Sequence, residues 1–386
     1  SEQAARHEEE DEENQHEGNR VLVGRRNVAG AHRFQDADEQ AADHGAEAVA
    51  QAAEHGSDEA LEAEHDTDVV GSERNRCHEN AAQRACQRAQ QDAGGKGINV
   101  AMVLKDLGRD VGLTGWLGEG NQQSFVSLFE ERALADHFVR VAGDTRINVK
   151  ISEQSGRVTD LNLPGLAVQE GDVSALEAAL ERLAPHTDWF VLAGSLPKGV
   201  SPDYCGHLIH LLKAKGKQVI FDCSGAALSE GIKAAPTLVK PNLEELSQWA
   251  GRPVKTLSEQ AECARALQAS GIPNVVISNG ADGLIWFAPD ATWQAIPPRM
   301  EVVSTVGAGD SLVAGLVHGM SLDWTPEQTL RLATAVSALA VSQVAVGFND
   351  INVLKPLLEQ VRVQRLDDLA PTQPQPHLMA NSGDAQ

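Results

Sequence analysis

From Gly94 to about Leu366, short apolar runs alternate with segments whose apolar residues recur at helical spacing. Such alternation is typical of βαβ units, in which helices connect parallel strands and cover the faces of the sheet. We therefore predict an α/β fold with a mostly parallel sheet. The predicted central strands are Val111–Leu117, Asp188–Ala193, Gln218–Asp222, Thr237–Lys240 and Asn274–Ser278. The predicted helices are Ile98–Leu107, Gln122–Leu134, Val173–Leu183, Tyr204–Ala214, Leu243–Ala250, Ser258–Ala269, Ala308–Met320 and Pro326–Val344.

Residues 1–93 have a different composition from the rest of the chain. They contain 23 Asp and Glu, nine Arg and no Lys, which is a net charge of −14 out of the −23 of the whole chain. Only 11 of these residues are large apolar residues or Cys. A segment of this kind buries too little apolar surface to offset its ordering entropy. We predict a disordered, acidic N-terminal extension over 1–93, a folded domain over 94–366 and a disordered tail over 367–386.

The overall composition excludes several classes of function. A net charge of −23 argues against nucleic-acid binding, because phosphate backbones require a basic face. No apolar run approaches the ~20 residues of a membrane span. Since no basic stretch followed by an apolar stretch opens the sequence, we expect no secretion signal. The five cysteines lack metal-ligand spacing and fit free thiols in a reducing cytoplasm.

Two glycine-rich turns carry the chemistry. Ser304-Thr-Val-Gly-Ala-Gly-Asp310 precedes a helical run, and the amides of Gly307, Ala308 and Gly309 would form an anion site at the positive end of the helix dipole. Asp310 behind this turn could accept a proton from a hydroxyl that attacks phosphorus. The alternative is an ordinary acidic residue in the first turn of a helix. The second turn, Ala93-Gly-Gly-Lys-Gly-Ile-Asn-Val-Ala101, supplies Lys96 and Asn99.

Together these turns resemble the paired signatures of the ribokinase-like (PfkB) sugar kinases, from about Gly94 to about Leu366. Further matching segments are Thr145–Asn148, Gly194–Pro197, Lys240–Glu245 and Ser278–Gly283. The resemblance implies a three-layer α/β/α fold, and short strands around Arg146–Ser152 and Arg157–Leu163 that form a small β lid. It also implies a cytoplasmic kinase that uses ATP and Mg²⁺, with no nucleic-acid or membrane partner, and pairs through the lid.

On the nucleotide side, the resemblance assigns Asp310 as the base with Gly307, Ala308 and Gly309 as the anion cradle. It assigns Lys240, Ser278, Gly280 and Gly283 to the nucleotide, and Asn242 and Glu245 to Mg²⁺, through water, and to the nucleotide phosphates. Each has a plainer alternative. Asn242 and Glu245 have the spacing of a capping box, Ser278–Gly283 that of a hairpin turn, and Lys240 is a charge at a strand end.

On the sugar side, the resemblance assigns Gly95, Lys96 and Asn99 to the sugar or its phosphate, Ser195 to a sugar hydroxyl, and Arg146 to the phosphate. A guanidinium suits that role because it binds two oxygens at once, although a strand Arg is often only solvated. Asp160, where related kinases of fructose 6-phosphate carry a basic residue, favours fructose 1-phosphate as substrate. The expected reaction is phosphorylation of fructose 1-phosphate to fructose 1,6-bisphosphate. Alternatives are a fructose 6-phosphate or tagatose 6-phosphate kinase, or a non-catalytic remnant.

One departure from the family concerns the region before the second turn. Members of the family begin with a strand that ends in a Thr-x-Asn-Pro-x-x-Asp-like stretch, whose aspartate grips the sugar. Residues 50–93 contain no such stretch. We hypothesise that Ala93–Gly94 is a join between two reading frames, which sequencing of the transcript across this point would test. We expect residues 1–93 to lie outside the sheet, and the kinase to be less stable and less active than its relatives.

Overall fold

The computed structural model of the 386-residue chain describes residues 21–26, 93–152 and 158–366. Thirteen strands are found in these ranges. They are β1 (Val21–Arg26), β2 (Val111–Gly118), β3 (Ala135–Asp136), β4 (Val139–Val141), β5 (Asn148–Ser152), β6 (Val158–Asn162), β7 (Trp189–Gly194), β8 (Gln218–Asp222), β9 (Leu238–Val239), β10 (Asn274–Ser278), β11 (Leu284–Phe287), β12 (Thr292–Ile296) and β13 (Arg362–Arg365).

The same ranges contain ten α-helices. They are α1 (Lys96–Asp106), α2 (Gln123–Glu131), α3 (Glu170–Leu183), α4 (Tyr204–Ala214), α5 (Gly225–Ile232), α6 (Leu243–Ala250), α7 (Leu257–Ala269), α8 (Ala308–Ser321), α9 (Pro326–Val341) and α10 (Lys355–Gln360). None of the helices in the described residues is long and apolar enough to cross a membrane.

Eleven strands form one mixed sheet in the order β13-β12-β11-β10-β9-β8-β7-β1-β2-β3, with β4 also paired to β2. From β10 to β3 the neighbours run parallel, whereas β10 to β13 form an antiparallel edge. The carboxyl ends of the parallel strands therefore lie along one edge of the sheet, where open α/β sheets bind their ligands.

Helices cover the sheet in two packed groups. The main hydrophobic core joins Val219 and Phe221 of β8 to apolar residues of α3, α4, α5, α6 and α7. In the second group, α8 packs against both α1 and α9, and α1 lies on β1, β2 and β7. Successive side chains of a strand point to opposite faces, so Asp222, which follows Phe221, points away from the main core. Its ion pair with Lys96 of α1 places it on the side of the second group.

The contacts divide the chain into two units. The first unit includes residues 21–26, 94–146 and 165–366, which contain the large sheet and all ten helices. The described part of the second unit, 147–152 and 158–164, is the hairpin of β5 and β6, in which Asn148 pairs with Asn162 and Ser152 with Val158. This antiparallel pair confirms the two short strands expected for the lid.

The prediction that residues 1–93 lie outside the sheet is wrong for Val21–Arg26. This strand pairs in parallel with β2 on one side, Val23 opposite Leu113, and with β7 on the other, Val23 opposite Val191. A strand buried between two neighbours usually reads as a continuous apolar run, and here only three apolar residues precede Gly-Arg-Arg. The predicted disorder of 1–20, 27–92 and 367–386 lies outside the described residues and stays a prediction.

The predicted strands and helices are all present, with ends that shift by up to three residues. Helices α5 and α10, the short strands β3 and β4 and the edge strands β12 and β13 were not predicted. Helix α9 ends at Val341 rather than Val344, and the strand expected over Thr237–Lys240 is reduced to Leu238–Val239. Helix α5 is short and contains two glycines, so its sequence gives a weak helical signal.

Candidate active site

The turn before α8 has the backbone geometry that its glycines predict. Gly307 is the N-cap of α8 and has a left-handed φ of 78°. A Cβ at this position would lie 2.5 Å from Cγ2 of Val346, so the turn packs directly against the loop that follows α9. The N–H of Ala308 donates to the carbonyl of Thr305 at 3.4 Å, which leaves the next amides of the first turn as the anion donors.

Asp310 lies in this first turn and is buried, with 7% of its surface exposed. Its Oδ2 accepts a hydrogen bond of 2.7 Å from Nδ2 of Asn99, which is also buried. Asn99 belongs to α1, whose N-cap is Gly95, and the N–H of Asn99 donates to the Gly95 carbonyl. The two glycine-rich turns, far apart in the sequence, thus meet in one site as predicted.

Two lysines and a second aspartate complete the cluster. Nζ of Lys96 lies 3.3 Å from Oδ2 of Asp222, and Nζ of Lys240 lies 3.4 Å from Oδ1 of the same carboxylate. Asp222 and Lys240 are almost fully buried. The Nζ of Lys240 is also 3.7 Å from the position of a Cβ on Gly309, so this ammonium lies beside the glycine turn. The cluster therefore combines an anion cradle, two cations and two buried carboxylates.

Burial and neighbouring charges shift the pKa values of this cluster. Burial, reinforced by the charge of Asp222, raises the pKa of Asp310 to about 6, although Lys96, Asn99 and Lys240 oppose the change. Burial also acts to raise the pKa of Asp222, but Lys240 and Lys96 outweigh it and hold that pKa below its usual value. Burial acts to lower the pKa of Lys96, but the charges of Asp222, Asp310, Glu245 and Cys223 outweigh it and raise that pKa. Asp310 is thus a carboxylate at neutral pH and a far better base than an exposed aspartate.

Asn242 and Glu245 form a complete capping box at the start of α6. The Asn242 side chain accepts from the N–H of Glu245 at 2.8 Å, and Oε2 of Glu245 accepts from the N–H of Asn242 at 2.9 Å. The plainer alternative is therefore confirmed. It does not exclude Mg²⁺, which keeps several waters and takes few protein ligands. In the described residues no group of three or more His, Cys, Asp or Glu could hold a metal ion.

The segment Ser278–Gly283 follows β10 at the ligand-binding edge of the sheet. Ser278 bridges to Asn242, and its N–H donates to the Pro241 carbonyl, so the two expected nucleotide segments are adjacent. The alternative of a hairpin turn is also correct, because β10 and β11 pair antiparallel. Gly280 and Gly283 have φ values of 58° and 88°, and a Cβ on Gly283 would lie 2.0 Å from the Ala295 carbonyl oxygen.

The two remaining predicted sugar ligands, Ser195 and Arg146, also belong to the first unit. Ser195 follows β7, whose Ala193 pairs with Asp222, so it lies at the same edge as the cluster. Arg146 follows the buried Thr145 and is itself half-buried, and its buried Nε has no hydrogen-bond partner among the described residues. Burial lowers the pKa of Arg146. No contact joins Arg146 to the cluster in the described residues. A buried Nε–H without a partner, in a partly desolvated guanidinium, is expected of an anion ligand awaiting its anion.

Asp222 is the site residue that the sequence analysis missed. The signal was present, because a lone acidic residue ends the apolar strand Gln218–Asp222 at the carboxyl edge of the predicted sheet. An aspartate at that edge is a candidate ligand by position alone. Its partners Lys96 and Lys240 come from two other segments, so only the fold could identify it as their common contact.

Comparison with known proteins gives a consistent result. Residues 64–352 match the model of the pfkB family of carbohydrate kinases. The matched range begins 30 residues before Gly94, where the sequence resemblance was expected to begin. Over 274 residues the chain is 52% identical to a 1-phosphofructokinase of Vibrio cholerae serotype O1, covering 71% of this chain and 86% of that protein. Over 272 residues it is 47% identical to a 1-phosphofructokinase of Escherichia coli K12, covering 70% and 87%.

Solved structures agree on the fold. Phosphofructokinase-2 from Escherichia coli, in a crystal structure with substrates and products, superposes with a TM-score of 0.70 at 22% identity, covering 89% of this chain and 99% of that one. A putative phosphofructokinase from Staphylococcus aureus gives a TM-score of 0.68 at 23% identity, covering 90% and 99%. At this level of identity the likeness shows the fold alone.

Proposed function

Because the chain belongs to the pfkB family of carbohydrate kinases, we propose that it transfers the γ-phosphoryl group of ATP to fructose 1-phosphate, giving fructose 1,6-bisphosphate. The observation that carries this proposal is the buried Asp310, bonded to Asn99 and flanked by Lys96 and Lys240 at the start of a helix. The choice of fructose 1-phosphate rests on the relatives named 1-phosphofructokinase, which are 52% and 47% identical to the chain.

Asp310 acts as the general base in this proposal. The bond from Asn99 fixes the plane of its carboxylate, and its pKa of about 6 makes it ionised yet basic at neutral pH. It takes the proton of the attacking sugar hydroxyl as the new O–P bond forms. The turn of Gly307, Ala308 and Gly309 at the start of α8 supplies backbone amides, which stabilise the charge that develops on the transferring group. Ala308 contributes by maintaining the conformation of the turn, because its own N–H donates to the carbonyl of Thr305.

The nucleotide lies, in this proposal, along the edge formed by β9 and β10. Lys240 contacts its phosphates beside Gly309, and Ser278, Gly280 and Gly283 lie against the nucleotide. Asn242 and Glu245 hold Mg²⁺ through water, which supplies neutralisation of phosphate charge.

The acceptor side combines the N-terminal turn of α1 with two further ligands. Gly95, Lys96 and Asn99 contact the sugar or its phosphate, Ser195 binds a hydroxyl, and Arg146 binds the phosphate by its guanidinium fork. Lys96 is about one third exposed, so it is accessible to an anion while it remains paired with Asp222. This arrangement places the acceptor between α1 and the turn of α8, next to Asp310.

We propose the cytoplasm as the location, where ATP is available and the buried thiols of Cys205, Cys223 and Cys263 stay reduced. We also propose pairing of two copies through the hairpin of β5 and β6. Within that hairpin unit, Leu161 and Leu163 expose 45% and 39% of their surface, which favours a further contact. Light scattering on the full chain and on Leu161→Asp would test the pairing.

A coupled kinase assay with MgATP tests the substrate. We expect turnover of fructose 1-phosphate to exceed that of fructose 6-phosphate and tagatose 6-phosphate. A preference for fructose 6-phosphate or tagatose 6-phosphate would identify that sugar phosphate as the substrate instead. If none of the three is turned over, the chain is a non-catalytic remnant. The comparison protein is a version in which β1 is followed by a family-like stretch with the sugar-binding aspartate, and we expect it to be more active than the chain as it stands.

A further inference from the structure

The arrangement of Asp222 between two lysines is more specific than a salt bridge that merely stabilises the fold. Each of its oxygens pairs with a different lysine, at 3.3 Å and 3.4 Å. Among the described residues neither oxygen has a hydrogen-bond donor other than these ammonium groups, although Asp222 is only 1% exposed. Burying a carboxylate is costly unless cations compensate it, so the position of Asp222 depends on both lysines and theirs on Asp222.

The two lysines come from the two halves of the site. Lys96 begins α1, the helix that presents Asn99 to Asp310. Lys240 follows β9 and lies beside Gly309 of the α8 turn. Asp222 ends β8, the strand next to β9, and its carboxylate is the group that both ammonium groups share. The pair of cations therefore has a fixed spacing, which the backbone of β8 sets.

We propose that Asp222 is a positioning residue that holds Lys96 on the acceptor side and Lys240 on the nucleotide side of Asp310. This inference rests on the proposed function for the roles of the two lysines, and on the geometry alone for their shared contact. Phosphoryl transfer gains most from charges that are already in place when the transition state forms, so a carboxylate that fixes two cations lowers the cost of reorganisation. Its negative charge also opposes ionisation of Asp310.

The test compares Asp222→Asn with Asp188→Asn. Asp188 also pairs with a lysine, Lys217 at 3.2 Å, but it is half exposed, so it is a matched control. In Asp222→Asn we expect turnover to fall at least tenfold, and the acidic limb of kcat/KM to move to lower pH by about one unit, because a like charge near Asp310 is gone. The groups that face Asp310 are Asp222, Lys96, Asn99 and Lys240, and three of these remain. Asp188→Asn should change neither quantity.

A second readout does not depend on turnover. Acylation of lysines by acetic anhydride at pH 9, followed by mass spectrometry, reports the fraction of each amine that is neutral. Loss of Asp222 lowers the pKa of Lys96, which still faces Asp310, Glu245 and Cys223. Lys96 should then react severalfold faster in Asp222→Asn, while the exposed Lys233, paired with Glu230, keeps its rate in both proteins.

The outcomes separate the two proposals. Failure of the wild-type chain to phosphorylate any sugar phosphate refutes the proposed function, while the acylation of Lys96 still reports on Asp222. An unchanged Lys96 rate together with an unchanged pH limb in a folded Asp222→Asn protein refutes the positioning role. If Asp222→Asn does not fold, the double variant Asp222→Asn/Lys240→Met, which removes the unbalanced buried charge, is measured for Lys96 acylation with the same two outcomes.

Discussion

At the scale of single residues, Asp310 is held in a state that favours catalysis over stability. Its folded pKa of about 6 lies above the ordinary value of 3.8, so the folded protein binds the extra proton between these two pH values. The contribution of this group to stability is therefore fully present below pH 3.8 and is lost as the pH rises through 6. At neutral pH the protein carries a buried charge that its fold alone would disfavour.

We predict that Asp310→Asn loses turnover by ~10²–10⁴-fold without a lower melting temperature at pH 7. The amide resembles the protonated carboxyl group, which the site prefers. In the wild-type enzyme kcat/KM should fall about tenfold for each pH unit below the pKa of about 6, as the base becomes protonated. Calorimetry and a pH–rate profile check both effects. Near wild-type kcat in folded Asp310→Asn would exclude Asp310 as the base.

Arg146→Ala should raise KM for the sugar phosphate far more than KM for ATP, because its guanidinium, whose Nε has no hydrogen-bond partner among the described residues, is assigned to the acceptor's phosphate. Arg146→Lys should rescue only part of the loss, since an ammonium lacks the planar fork. Initial-rate kinetics with each substrate varied in turn provide the measurement, and Arg265→Ala on the exposed face of α7 is the control. Equal effects on both KM values would contradict the assignment.

At the scale of secondary-structure elements, the turn before α8 is supported by the loop after α9. Val346 of this loop contacts Gly307, and the N–H of Phe348 donates to Oδ2 of Asp106 at 2.7 Å. Asp106 is paired in turn with Arg132, through bonds of 2.7 and 2.8 Å. A partly buried ion pair between α1 and the residue after α2 thus anchors the loop that packs on the phosphate turn.

Gly307→Ala tests this packing. Both Gly307 and Gly108 have a φ near +80°, but a Cβ on Gly108 meets nothing within 4 Å. Gly108→Ala should therefore cost only the left-handed conformation, about 1–2 kcal/mol of unfolding free energy. Gly307→Ala should cost more and also raise KM for ATP, and Val346→Ala should relieve the excess. Urea unfolding and ATP kinetics are the measurements. Equal losses of unfolding free energy in the two glycine variants would show that packing against Val346 does not contribute to stability.

Helices and strands with a strong local pattern could be predicted from the sequence. The helix α4 and the strands β8 and β10 have the predicted bounds, because their periodicity is strong and local. The meeting of Asn99 with Asp310 followed from motif resemblance rather than from any local pattern. The position of Asp222 between two lysines depends on the neighbouring order of β8 and β9, which no local pattern encodes.

At the scale of the whole molecule, β1 occupies an interior position of the large sheet, between β7 and β2. Its ladder joins β2 to β7, so the two sides of the sheet are connected through these six residues. The expectation that the chain is destabilised by an empty strand position therefore no longer holds on that ground. The missing aspartate of the N-terminal family motif remains a reason to expect weak activity, because it concerns a sugar ligand and not the sheet.

Val23→Pro should destabilise the first unit by about 3 kcal/mol or more, because a proline in a central strand removes a ladder hydrogen bond. Glu170→Pro is the control, since Glu170 is exposed and occupies the first position of α3, where proline is tolerated. Denaturant unfolding should show a clear loss for the first variant and almost none for the second. Equal stability of Val23→Pro and wild type would mean that β1 contributes nothing to the sheet.

The place of β1 also has a kinetic consequence. Val21 pairs with Val111 and with Trp189, whereas β7 to β10 are each joined to the next strand through a nearby helix. Contacts between residues far apart in the sequence form late, because the entropy of closing a long loop must be met before they stabilise anything. The part of the sheet from β7 to β10, which carries Asp222 and precedes Lys240, is thus expected to assemble first. Helix α1, which carries Lys96 and Asn99 and packs on β1, β2 and β7, is expected to dock when β1 inserts, so the two sides of the catalytic site meet only in the last step of folding.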